Sequence, residues 1–202
     1  ALPIFYQLGI PYCLDPASES YESMAIFVPG AYFSAKAHGR TYSCTVNERA
    51  LIGQFSAHTA PVLMPINSGT LSAQSSPTYY GFSGLGSYMD AGFVYVYAGF
   101  RGRTAGYESA SGGAYSGGDP WPVVDLKAAV RCLRYNADVL PGSMERICTC
   151  GFSMGGGMSA LMGASGDSEL YLPYLAQIGA ATHDAQGRLE ERRVGKECRS
   201  RW

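Results

Sequence analysis

Residues 146–164, RICTCGFSMGGGMSALMGA, constrain this chain more than any other stretch. A short β-type run ends in a glycine, two residues turn the chain, and a helix of small residues begins within a Gly-x-Ser-x-Gly pattern, Gly151-Phe152-Ser153-Met154-Gly155. A turn that tight needs residues without Cβ atoms on either side of the serine. A strand–serine–helix turn of this kind predicts a nucleophile elbow, with Ser153 as the attacking group. The N-terminus of the following helix favours developing negative charge, and the Met154 N–H is placed to donate to an oxyanion. A phosphate loop is disfavoured, because the run lacks the Lys-Ser/Thr ending and the G-x-G-x-x-G spacing.

Upstream, MAIFVP (24–29), PVLMPI (61–66) and GFVYVYAG (92–99) are short runs rich in Val, Ile, Phe and Tyr, and IFYQLGI (4–10) is a weaker one. They do not alternate cleanly, as expected for strands covered on both faces. Val123, Leu126, Val130 and Leu133 share a helical face in 119–142, with Asp119 as a cap and Pro141-Gly142 as the stop. A helix joining two strands favours parallel pairing in a βαβ unit. A further helical stretch is expected near 168–178. The fold class is therefore α/β, with a mostly parallel sheet running through the elbow strand and flanking helices. Residues 1–188 read as one catalytic-type unit, with 104–118 as a long loop. The last stretch, 190–202, is abruptly charged and reads as the translation of a sequencing adapter, so 189–202 is set aside as non-native.

Composition removes several classes of function. Only 15% of residues are charged, the formal net charge is −1, and 1–188 contains no basic block, which argues against nucleic acid and anionic lipid as partners. No run approaches the roughly 20 apolar residues of a membrane span. The sequence starts without Met and with no signal-peptide pattern, and it leaves compartment and oligomeric state open. With Cys198 set aside, Cys13, Cys44, Cys132, Cys148 and Cys150 form an odd set without CxxC spacing, read as buried reduced thiols rather than a disulfide framework or zinc site. Three scattered histidines make no metal cluster. His38 and His58 precede the elbow. His183, followed by Asp184 in a polar stretch, is a poor candidate for the base, so the general base is expected outside this chain. Arg101 and Arg103 in FRGRT lie beyond a strand end, where open α/β folds place ligands. Two roles stand side by side: contact with substrate oxygen, or tying the long loop down through Asp125 or a carbonyl. Trp121 reads as packing.

Five ordered blocks carry a family resemblance: YESMAIFVPGAYF (21–33), APVLMPINSGT (60–70), AGFVYVYAGFRGRT (91–104), VVDLKAAVRCLRYN (123–136) and LPGSMERICTCGFSMGGGMSALMGASGDSELYLPYLAQIGAA (140–181). Together they resemble the N-terminal part of bacterial tannases and tannase-like carboxylesterases, in register over about 20–188. The resemblance implies a truncated α/β-hydrolase fold and a serine ester hydrolase acting on galloyl or related aromatic and short-chain esters. No cofactor or metal is implied, and the partner is a small-molecule ester. It implies Ser153 as nucleophile and Met154 N–H as one oxyanion donor. The second donor comes from a glycine pair that falls on Gly69 and Thr70, where Thr70 departs from the family glycine. Met154 stands where a smaller residue is usual, a packing difference. The family's acid and histidine lie past the end of this chain, so the piece alone is expected to be inactive. A prolyl-oligopeptidase-like peptidase and a non-catalytic binding module of the same fold are the alternatives.

Overall fold

The computed structural model describes residues 4–81, 84–104, 116–166 and 168–183, and the backbone of 106–107 and 114–115. The strands are β1 (Ile4–Pro11), β2 (Ser23–Pro29), β3 (Phe33–His38), β4 (Thr41–Val46), β5 (Leu51–Ile52), β6 (Phe55–Ser56), β7 (Pro61–Ile66), β8 (Val94–Ala98), β9 (Gly106–Tyr107), β10 (Ala114–Tyr115) and β11 (Ser143–Gly151). The helices are α1 (Leu85–Asp90), α2 (Trp121–Tyr135), α3 (Met154–Ala164) and α4 (Leu172–Gln177). All four strong apolar runs of the sequence are strands of one sheet, and the weaker run is its first strand.

That sheet has the order β1-β2-β8-β7-β11. β7 pairs parallel with both β8 and β11, whereas β2 pairs antiparallel with both β1 and β8. The sheet is thus mixed, with β2 alone running against the other four strands, so that it is mostly parallel in direction. Parallel pairing is confined to β7, β8 and β11, the strands linked by helical crossovers. α2 returns the chain so that β8 and β11 run the same way, with β7 between them.

Period-two alternation assigns the faces. Met24, Ile26 and Val28 of β2, Val62, Met64 and Ile66 of β7, and Val94, Val96 and Ala98 of β8 enter the main core. Covering them are Val124, Leu126 and Leu133 of α2, Met158 and Met162 of α3, and Leu175 of α4. The alternate residues Ala25 and Phe27 meet Leu85 and Met89 of α1 on the opposite face. β2 is therefore buried along its whole length, which explains its failure to alternate in the sequence.

Three local expectations change. Pro120, not Asp119, occupies the N-cap of α2, and no side chain caps that helix. The helix ends at Tyr135, where Asn136 Nδ2 donates 2.8 Å to the Cys132 carbonyl, well before Pro141-Gly142. Among the described residues the five thiols are free and only Cys13 is buried; Cys44, Cys148 and Cys150 are exposed. β11 is an edge strand, and Arg146, Cys148 and Cys150 alternate onto its uncovered face. The hairpin of β3 and β4 was not foreseen. Its side chains are largely exposed, and with β1 it bounds a groove of about 650 Å³ at the sheet edge remote from β11. The 189–202 segment, Cys198 and Asp184 lie outside the described residues.

Candidate functional site

β7, β8 and β11 run parallel, so the loops after Ile66, Ala98 and Gly151 gather at their carboxyl ends, where ligands bind in α/β sheets. The tightest is the elbow: β11 stops at Gly151, α3 starts at Met154, and Phe152 and Ser153 make the turn. Ser153 has φ 55° and ψ −124°, a conformation that L-residues rarely adopt. Such strain persists only where the surroundings over-determine it.

The surroundings here are two glycines against a backbone. A Cβ on Gly151 would lie 2.6 Å from the Ile66 carbonyl oxygen and 2.4 Å from Gly155 C, and one on Gly155 would lie 2.1 Å from the same oxygen. The Gly155 N–H donates to the Ser68 carbonyl at 3.0 Å. The Gly-x-Ser-x-Gly spacing is therefore a packing requirement: both glycines let the turn press onto the end of β7. Ser153 is left exposed, and its hydroxyl donates to the Gly69 carbonyl at 3.3 Å. Met154 is the first residue of an eleven-residue helix, so its N–H has no intrahelical acceptor and sits at the positive end of the helix dipole.

The loop over 67–74 is clamped at its base. Gln74 and Phe100 exchange backbone bonds of 3.0 and 2.8 Å. The buried Gln74 side chain accepts from Asn67 N–H at 2.8 Å and donates to Ala98 O at 2.6 Å. Ser68 Oγ donates to Ser72 O at 3.1 Å, leaving Gly69, Thr70 and Leu71 as the tip. Leu71 has φ 60°, the other positive φ among described non-glycine residues besides Ser153. Its carbonyl accepts the Arg103 N–H at 2.8 Å, and a Cβ on Gly102 would lie 2.6 Å from Ala73 N. The Arg-Gly-Arg turn thus holds the 67–74 loop backbone to backbone.

Arg101 takes the tying role of the two set out from the sequence. It is 1% exposed, with Nε and Nη2 donating to Asp125 at 2.9 and 2.7 Å, Nη1 donating to Ser116 O at 3.2 Å, and the guanidinium 4.1 Å above the Trp121 ring. A guanidinium so engaged has no face for substrate. Arg103 is exposed beside the same loop. Glu22, fully buried, brings Oε1 to 3.2 Å from Arg101 Nη2, without hydrogen-bond geometry, while Oε2 accepts from Ser18 N–H at 2.7 Å. Burial, with the Asp125 charge adding to it, pushes the Glu22 carboxyl up to about 7. Neither Glu22 nor Gln74 carries a sequence signal, because a lone polar residue gains its meaning from partners distant in the chain. Trp121 packs edge-on against Tyr174.

The histidines stand apart. His58 pairs with Glu48, His183 Nδ1 hydrogen-bonds Thr182 Oγ1 at 2.8 Å, and His38 is on the exposed hairpin. None of them is bonded to Ser153. Among the described residues no three His, Cys, Asp or Glu are grouped to hold a metal ion, and no helix is long and apolar enough to cross a membrane.

Comparison with solved structures shows which proteins share this fold. The tannase of Fusobacterium nucleatum superimposes with a TM-score of 0.71 at 33% identity, covering 89% of this chain and 35% of that one. The tannase of Lactobacillus plantarum gives 0.72 at 32% identity, covering 93% and 37%. A tannin acyl hydrolase solved in complex with ethyl gallate gives 0.72 at 32%, covering 93% and 38%. No family model and no curated protein matches the chain. The fold is an α/β fold of the kind found in these hydrolases. More particularly, the chain is tannase-like, spans a little over a third of the tannases it matches, and fits an N-terminal portion of them.

Proposed function

We propose that the protein bearing this chain is a serine carboxylic ester hydrolase of the tannase type, built on an α/β-hydrolase sheet. The observation that carries the proposal is Ser153, held at a strained φ by two glycines that nothing larger could replace. The sheet order, with β2 antiparallel inside an otherwise parallel run, supports the hydrolase fold. Ser153 Oγ attacks the ester carbonyl as a histidine outside the described residues takes its proton. The tetrahedral oxyanion is met by the Met154 N–H and by the Gly69–Thr70 segment. Its collapse expels the alcohol, and water then releases the acid from the acyl-enzyme. Each oxyanion donor contributes about a hundredfold to a thousandfold in rate.

The acyl group follows from the relatives, one solved with ethyl gallate and another with 3,4-dihydroxybenzoate. A site that hydrogen-bonds phenolic hydroxyls leaves its own polar groups unpaired when they are missing. In the whole protein, Ser153→Ala abolishes ester turnover, and kcat/KM for methyl gallate exceeds that for methyl benzoate by orders of magnitude. Equal turnover of the two esters would reduce the activity to a general carboxylesterase. Full activity of Ser153→Ala would remove the proposal altogether.

A further inference from the structure

The bond from Ser153 Oγ to the Gly69 carbonyl fixes how one peptide faces the site. A trans peptide is planar, with its C=O and N–H pointing in opposite directions. With the Gly69 carbonyl turned toward Ser153, the Thr70 N–H is turned away from it, so the second oxyanion donor expected from Thr70 is not aimed at the serine. Of the two donors expected, the Met154 N–H at the helix start is left, while at Gly69 it is the carbonyl that faces the serine hydroxyl.

Resting on the reading of Ser153 as nucleophile, we infer that Thr70 is a positioning residue: it holds the Gly69–Thr70 peptide carbonyl-inward, and catalysis requires that peptide to flip so that its N–H faces the oxyanion. Such a flip turns ψ of Gly69 and φ of Thr70 by about half a turn in opposite senses and leaves the rest of the chain in place, as between type I and type II turns. Both ends of the turn are anchored, through Ser68 to Gly155 and Ser72, and through Leu71 to Arg103, so the motion is confined to the tip. Gly69 suits it. In the observed state nothing calls for glycine there, since its φ lies outside the left-handed region and a Cβ would meet nothing within 4 Å. A freely swinging ψ and open space are what the flip uses.

Thr70 opposes it. Its φ is not positive in the observed state, and flipping carries it to positive φ, where a β-branched residue is a steric outlier. The carbonyl-inward state is therefore the favoured one with threonine at 70, and the competent state is a minor population that scales the rate directly. Glycine at 70 removes the penalty, and asparagine, which tolerates the left-handed region, removes part of it.

The test uses the whole protein with four variants. Thr70→Gly raises kcat for methyl gallate about tenfold, the ratio corresponding to an L-residue's penalty at positive φ, with KM within about twofold. Inhibition by phenylboronic acid, which adds to the serine as a tetrahedral anion, tightens by about the same factor, while inhibition by gallic acid is unchanged. Thr70→Asn gains a few-fold, and Thr70→Val, β-branched without the hydroxyl, behaves as wild type. A Thr70→Gly enzyme that melts like wild type yet gains neither rate nor boronate affinity overturns the inference, as does a Thr70→Val enzyme that gains as much as Thr70→Gly. If Thr70→Gly fails to fold, Thr70→Asn decides in the same way. Ser153→Ala separately decides the nucleophile, so the two readings fail independently.

Discussion

Three consecutive glycines, Gly155, Gly156 and Gly157, follow Met154 in the first turn of α3, and they answer differently to one added methyl group. A Cβ on Gly155 would sit 2.1 Å from the Ile66 carbonyl oxygen, almost 1 Å inside the 3.0 Å below which real Cβ contacts are essentially absent. The obstacle cannot turn aside, because Ile66 is the last residue of β7, in register opposite Gly151 of β11. Gly155→Ala must therefore push the elbow off the sheet. Overpacking of this kind costs about 1–3 kcal/mol. If Ser153 is the nucleophile proposed above, displacing it by about 1 Å costs on the order of a hundredfold in kcat. Gly157 is the internal control. It lies in the same helix, a Cβ there would meet nothing within 4 Å, and Gly→Ala in a helix interior stabilises by about 0.5–1 kcal/mol. Thermal unfolding and ester turnover of the two single variants in the whole protein read both effects. Gly155→Ala is expected to melt lower and lose activity, and Gly157→Ala to melt slightly higher. Shifts of the same sign, or an active Gly155→Ala enzyme with unchanged Tm, would refute the claim that the elbow rests on β7.

Ser153→Gly removes turnover yet relieves the strained φ, so it is expected to stabilise by about 1 kcal/mol; a Tm below wild type would show that the conformation carries little strain. Glu22 titrates near 7 when folded and near 4.5 when unfolded, so the folded state holds the extra proton between those values. The contribution of Glu22 to stability is thus full below about pH 4.5 and is lost as pH rises through about 7. Glu22→Gln, followed by denaturant unfolding from pH 4.5 to 7.5, should flatten that slope, and an unaltered slope would place the titration elsewhere.

The elbow was legible in the sequence because its requirements are local: two glycines flanking a serine, a β-type run before and small residues after. The strands were legible for a similar reason, since double-sided burial in β2 and β7 leaves continuous apolar runs. Strand direction was less so. Whether β2 runs with or against β8 is set by the connections, and no residue in MAIFVP encodes it. The thiols of Cys148 and Cys150 looked buried because they sit in an apolar strand, yet their exposure depends on what lies beside β11. Arg101 illustrates the same limit: a basic residue after a strand end serves a ligand or a loop equally well until Asp125, 24 positions on, is seen to hold it. The orientation of the Gly69–Thr70 peptide has no trace in composition at all, since it is fixed by a bond across 84 positions.

The central claim is that Ser153 is an activated nucleophile beside an oxyanion site. A fluorophosphonate probe needs both, because it phosphonylates a serine whose proton is removed and whose developing P–O⁻ is stabilised. Labelling the whole protein and locating the adduct by peptide mass spectrometry tests the claim directly. The account predicts a single modified serine, Ser153, with labelling lost in Ser153→Ala. An adduct on another residue, or an esterase that turns over substrate while Ser153 stays unmodified, would contradict it.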